Sequence, residues 1–123
     1  SLEDSRINPA DNLIIYFPPD SNNLTAKAFE KLDRVFKFMA KNPNTRINII
    51  GFSDSTDSSS YDQMVSESRA NTVKNYLMAK GVDSTKISTL GVGSQAFSAT
   101  NGTEEERQMI GRVVIEFNTP TTK

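Results

Sequence analysis

An arginine set on the apolar side of a helix is the feature that most narrows what this chain can fold into. Tyr61 to Lys80 carries helical spacing, and at 3.6 residues per turn each residue advances about 100° around the axis. With Tyr61 at zero, Val65, Tyr76, Val73 and Leu77 fall on an arc from roughly 40° to 160°. Asp62, Ser66 and Arg69 fall inside that arc, at roughly 100°, 140° and 80°. Glu67, Asn71 and Lys74 lie on the other side. A lone charge withdrawn from water costs on the order of several kcal/mol, so Arg69 must be paired or must line a cavity. The spacing predicts a polar site near the start of this helix.

The remaining segments alternate between strand and helix signals. Leu13-Ile14-Ile15-Tyr16-Phe17, stopped by Pro18-Pro19, reads as a strand ending in a turn. Between Leu24 and Lys41, Phe29, Leu32, Val35, Phe36 and Met39 recur at three and four, a helix with one apolar face that ends at Asn42-Pro43-Asn44. Arg46 to Gly51 reads as a buried strand and the Ser/Asp-rich stretch 52–60 as a loop. Ser60-x-x-Gln63 fits a capping box opening the second helix, and Gly81 suits the position just past its end. Lys86 to Leu90 is a third strand, Thr103-x-x-Glu106 caps a short third helix, and Arg112 to Phe117 is the last strand. The predicted order is β-α-β-α-β-α-β, an α/β (α+β sandwich) fold with one four-stranded sheet and helices packed against it. Phe29, Leu32, Phe36, Val73 and Leu77 are expected in the core. Residues 1–12 are expected to be a linker or remnant, 13–118 the domain and 119–123 a frayed tail.

Composition removes whole classes of function. The 123 residues, 36% apolar, suit one domain with one core. Charge is balanced, 14 basic residues against 15 acidic, so there is no basic field for nucleic acid. No run approaches the length of a membrane-spanning helix, and Ser1-Leu2-Glu3-Asp4 has neither the basic start nor the apolar stretch of a secretion signal. Cysteine and histidine are both absent, which removes thiol chemistry, most zinc sites and the usual catalytic triads. The serines at 58–60 have no histidine or evident lysine to activate one as a nucleophile, so no enzyme is expected. Gly91-x-Gly93 lacks the third glycine of a dinucleotide fingerprint and reads as a tight turn. Asp54-x-Thr56-x-Ser58 has the outline of a metal motif but no further ligands at fitting places, so neither metal nor cofactor is expected.

Taken in order, several pieces resemble the OmpA-like peptidoglycan-binding domain shared by OmpA, Pal and the periplasmic part of MotB. They are Gly51-Phe52-Ser53-Asp54, Tyr61-Asp62, Val65-Ser66-x-x-Arg69-Ala70 and Val73-x-x-Tyr76-Leu77, followed by Lys80-Gly81-Val82, Lys86-Ile87-Ser88 and Gly91-Val92-Gly93. Asn101-x-Thr103 with Arg107 is similar to the family's approach to its last strand, and the resemblance runs from about Leu13 to Phe117. It implies a mixed four-stranded sheet and a non-catalytic domain that anchors an envelope protein to the cell wall by holding the diaminopimelate of the peptidoglycan stem peptide. Asp54 would take the ligand ammonium and Arg69 its carboxylate, through a forked pair of hydrogen bonds; the alternative is a direct salt bridge between Asp54 and Arg69 that closes the loop. Asp62, Ser66 and Arg112 complete the implied site, Arg112 as a supporting contact. The implied location is the periplasm of a Gram-negative bacterium, with a tether to the outer membrane outside this sequence, and a homodimer stays open.

The departures from the family pattern point the other way. An asparagine becomes Asp62, a loop glycine becomes Asp57, and Asn-Arg-Arg before the last strand becomes Ile110-Gly111-Arg112. One cation fewer and up to two anions more should weaken the grip on an acidic peptide; one lost charge-assisted hydrogen bond is worth about 1.5–3 kcal/mol. The alternative is a scaffold with this fold that makes protein contacts in an envelope assembly, such as a secretion system or flagellar stator. Asn23-Leu24-Thr25 and Asn101-Gly102-Thr103 match the glycosylation sequon, incidentally for a bacterial envelope protein.

Overall fold

The computed structural model describes residues 7–18, 21–53, 58–94 and 111–120. Its elements are β1 (Leu13–Tyr16), α1 (Ala26–Lys41), β2 (Arg46–Gly51), α2 (Ser59–Lys80), β3 (Ile87–Gly91) and β4 (Arg112–Asn118), with one 3₁₀ turn at Ser84–Lys86. They form the expected mixed four-stranded sheet, in the order β1-β4-β2-β3. β4 runs antiparallel to both β1 and β2, while β2 and β3 are parallel and joined by α2. The third helix expected near Thr103 lies outside the described residues.

Strand alternation sends one set of side chains to the helices and the other to the opposite face. Ile15, Ile47, Ile49, Val113 and Ile115 form the inner set and are buried with Leu32, Val35, Val73 and Leu77 of the two helices. β1 is continued by Phe17, whose N–H donates to Gly111 O at 2.8 Å. α1 starts where Thr25 Oγ1 accepts from Ala28 N–H at 3.1 Å, and it ends with Asn42 Nδ2 on Phe38 O at 2.8 Å.

Two local expectations are corrected. Phe29 is 40% exposed rather than buried. It faces α2 instead of the sheet, where Tyr76 covers one side of its ring at a centroid distance of 5.1 Å. Phe36 is only half-buried, packed against the rim of the core. The capping box is also not formed: Ser58 caps α2 by accepting from Tyr61 N–H at 3.1 Å, and Ser60 falls within the first turn. Gln63 instead donates to Gly91 O at 2.5 Å, because the end of β3 lies against this turn of the helix. Gly81 ends α2 in the left-handed region, at φ 119°.

α2 sits directly on the backbone of the sheet. Gly51 and Gly91 are neighbours in the parallel register. A Cβ at Gly51 would lie 2.0 Å from Ser66 O, and one at Gly91 would lie 2.6 Å from Ser66 Oγ. No rotamer change relieves a clash with a backbone carbonyl, so Gly51→Ala must lift the helix from β2. We expect Gly51→Ala to cost about 3 kcal/mol or more, at the upper end of overpacking effects, and more than Gly91→Ala. Urea unfolding checks this through the midpoints of the two variants.

Candidate functional site

The close approach of α2 carries its polar stripe into the interior. Asp62, Ser66 and Arg69 are all buried, as the helical arc requires, and Arg69 is only 2% exposed. The guanidinium sits where the ends of three strands converge. Nε and Nη2 donate to Ser21 O, in the segment after β1, at 3.3 and 3.2 Å. Nη1 donates to Phe52 O, just past β2, at 3.3 Å. Phe17 lies beside the group, with its ring centroid 5.5 Å from Cζ.

Gly111, at the start of β4, supplies the space. A Cβ there would stand 2.9 Å from Nη1 and 3.3 Å from Cζ. The glycine that departs from the family pattern is thus the surface against which the buried cation lies. Nothing in its own sequence context marks that use, because the clash arises only once β4 and α2 are in place. Ser21 and Phe52 were likewise invisible in sequence, since they contribute carbonyls rather than side chains.

Ser66 is fully buried and its hydroxyl is engaged twice. It donates to Gln63 O at 2.8 Å and accepts from Gly93 N–H at 2.9 Å. Gly93 O in turn accepts from Ser53 N–H at 3.0 Å, so Ser66 ties the turn after β3 to the segment leading out of β2. The tight turn expected at Gly91-x-Gly93 is present, with Gly93 at φ 62°. Asp62, also buried, lies in the first turn of α2, where the helix dipole favours a negative charge. Its Oδ2 accepts from Ser94 Oγ at 3.5 Å.

Arg112 takes a different place from Arg69. It alternates with the inward-facing Val113, so it belongs to the sheet face away from the helices, and its Cζ lies 4.1 Å from the centroid of the Phe52 ring. The link between the two arginines is Phe52: its ring stacks on Arg112, its N–H donates to Arg112 O at 2.9 Å, and its carbonyl holds Arg69. Asp54 and Asp57, and with them the expected pairing of Asp54 with Arg69 around one cleft, lie outside the described residues, as does Ile110. Among the described residues no group of acidic side chains is arranged to hold a metal ion, and no helix is long and apolar enough to cross a membrane.

Comparison with known proteins agrees with this architecture. The model of the OmpA family matches residues 16–111, so the chain belongs to that family. Peptidoglycan-binding protein ArfA of Mycobacterium tuberculosis is 36% identical over 114 residues, which covers 93% of this chain and 35% of that protein. The peptidoglycan-associated lipoprotein of Buchnera aphidicola is 32% identical over 103 residues, covering 84% of this chain and 60% of that one. The chain therefore spans between 35% and 60% of the length of these curated relatives. Among solved structures, the peptidoglycan-associated lipoprotein of Burkholderia pseudomallei superposes with a TM-score of 0.80 over 89% of this chain and 93% of its own. At 22% identity it speaks for the fold alone. The C-terminal domain of Helicobacter pylori MotB, 27% identical, gives a TM-score of 0.74 over 89% of this chain and 85% of its own.

The tie made by Ser66 yields a stability prediction. Ser66→Ala leaves a buried Gly93 N–H without its acceptor, a loss of about 1–3 kcal/mol. Denaturant unfolding measures that loss. Amide exchange should quicken most at Gly93, the donor whose acceptor is removed.

Proposed function

We propose that this domain binds peptidoglycan non-covalently and anchors an envelope protein to the wall, with the buried Arg69 receiving the carboxylate at the end of the diaminopimelate side chain. The observation that carries this reading is the placement of Arg69, a permanent cation buried at the convergence of three strand ends and held by two backbone carbonyls. The carbonyls of Ser21 and Phe52 fix the plane of the guanidinium, and a fixed plane supports its use in planar recognition of a carboxylate. A group so deeply buried suits the narrow end of an amino-acid side chain better than a bulky glycan. Asp54 is the proposed partner for the ligand ammonium. Family membership and the named functions of ArfA and the peptidoglycan-associated lipoproteins support the wall as target.

The other residues have indirect parts in this reading. Ser66 positions the loop that ends in Gly93, and Arg112 positions Phe52, whose carbonyl orients Arg69. Asp62 and Arg69 are separated by two turns of α2, about 10.5 Å along the axis, which is about a Debye length at moderate ionic strength. Repulsion between Asp62 and a carboxylate on Arg69 is therefore weak and salt-sensitive. The domain itself needs no catalytic group for this task, and the proposed location is the periplasm, with attachment to the outer membrane supplied by other parts of the protein. The MotB likeness keeps a place for the stator-type scaffold, in which the same fold makes protein contacts.

Purified diaminopimelate-type sacculi provide the test. The unmodified chain should co-sediment with them, and Arg69→Ala should lower retention about tenfold or more, the scale of one lost charge-assisted contact. Arg112→Ala should cost less, because it acts through Phe52. Asp62→Asn should strengthen retention a few-fold at most, and the gain should shrink with added salt. Unfolding curves recorded in parallel separate lost binding from lost folding. Sacculi that retain none of the unmodified chain would favour the scaffold.

A further inference from the structure

The outer edge of β1 carries a second surface with its own chemistry. β1 is the terminal strand of the sheet order and pairs with β4 alone among the described strands. Phe17 bonds to Gly111, just before β4, and the register continues through Ile15 with Val113 and Leu13 with Ile115. Consecutive residues of a strand turn their backbone polar groups to opposite sides, so Ile14 and Tyr16 present theirs away from β4. A row of this kind is a template for another strand.

α1 places cations along that edge. Lys31 Nζ donates to Ile14 O at 2.8 Å and lies 5.5 Å from the centroid of the Tyr16 ring. Beside it a cleft of about 430 Å³ opens between β1 and the first turns of α1, with Tyr16, Phe17, Pro18, Lys27 and Lys31 among its walls. Among the described residues the lining contains two lysines and no carboxylate. Burial, and then the neighbouring Lys27 and Arg34, hold the Lys31 ammonium below the ordinary lysine range. These three cations follow one another at spacings of four and three, on one face of the helix. A carboxylate arriving in the cleft would offset both the desolvation and the repulsion.

We infer that this edge is a docking site for an extended acidic segment of a partner protein, which adds as a strand beside β1 and sets a carboxylate against Lys27 and Lys31. An ammonium has three donors, so Lys31 can keep Ile14 O and still accept the carboxylate as a partner. The backbone of the incoming strand supplies affinity, and the cleft beside Tyr16 selects its alternate side chains. The contact requires no ligand on Arg69, so it is tested apart from wall binding.

The test is a ¹⁵N NMR titration of the chain with a blocked five-residue peptide alternating glutamate and valine. Expected are shifts confined to Ile14–Phe17 and Lys27–Lys31, with amide exchange at Ile14 and Tyr16 slowed about tenfold or more as their N–H groups gain partners. Lys31→Glu should weaken binding about tenfold or more, the scale of a lost charged contact. Lys27→Glu, which leaves the bond to Ile14 intact, should weaken it several-fold. The inference is overturned by any of four results: no shift at millimolar peptide, equal binding of the lysine-for-glutamate peptide, equal binding of a backbone N-methylated peptide, or a peptidoglycan fragment taking the same residues in its place.

Discussion

The withdrawal of one permanent charge from water organises the functional end of this domain. Arginine cannot escape burial by losing its proton, so the fold has to answer the charge with fixed oxygens. Among the described residues these include the carbonyls of Ser21 and Phe52, which belong to segments following different strands. Satisfying Arg69 therefore requires β1, β2 and α2 to be correctly placed at once. The constraint is local in chemistry and global in consequence: the strand ends are brought into register by the same group proposed to receive a ligand.

That arrangement depends on how closely α2 lies on the sheet. At Gly51 and Gly91 the helix touches bare backbone, and a methyl group at either would push it away. Lowering the helix puts Ser66 within reach of Gly93 and Arg69 within reach of Phe52. Gly111 then removes the remaining obstacle on the β4 side. What reads in sequence as the loss of an arginine before the last strand is, in the fold, a gain of room beside the one that remains. The family departures at Gly111 and Asp62 are therefore not equivalent. The first adjusts the bed of the guanidinium, and the second lies two helical turns away beside Ser94.

Helical periodicity made the buried stripe legible in advance, because a helix of this length fixes which residues share a face whatever packs on it. Asp62, Ser66 and Arg69 were placed by that rule alone, and all three are buried. The strand order inside the sheet, with β4 between β1 and β2, was not legible in any local pattern, because each strand carries the same apolar signal whichever neighbour it takes. Phe29 misled because periodicity ranks faces without saying what covers them, and at its position the neighbour is Tyr76 on the rim. The cap of α2 misled for a related reason. Ser60 and Gln63 have the right spacing, but Gln63 finds a stronger claim from Gly91 O across the sheet, an interaction that no local motif encodes. Backbone acceptors and the room beside Gly111 carry no sequence signature at all.

The most direct measurement is the ¹⁵Nε resonance of the Arg69 guanidinium during titration with a stem peptide containing meso-diaminopimelate, with the same peptide carrying lysine in its place as the comparison, since lysine within the peptide keeps the side-chain ammonium but lacks the second carboxylate. If Arg69 is the carboxylate receptor, its Nε signal moves and saturates with the diaminopimelate peptide and stays in place with the lysine peptide. An Arg69 signal that is unmoved at millimolar diaminopimelate peptide, or that responds equally to the lysine peptide, would contradict the assignment of this buried cation to ligand recognition.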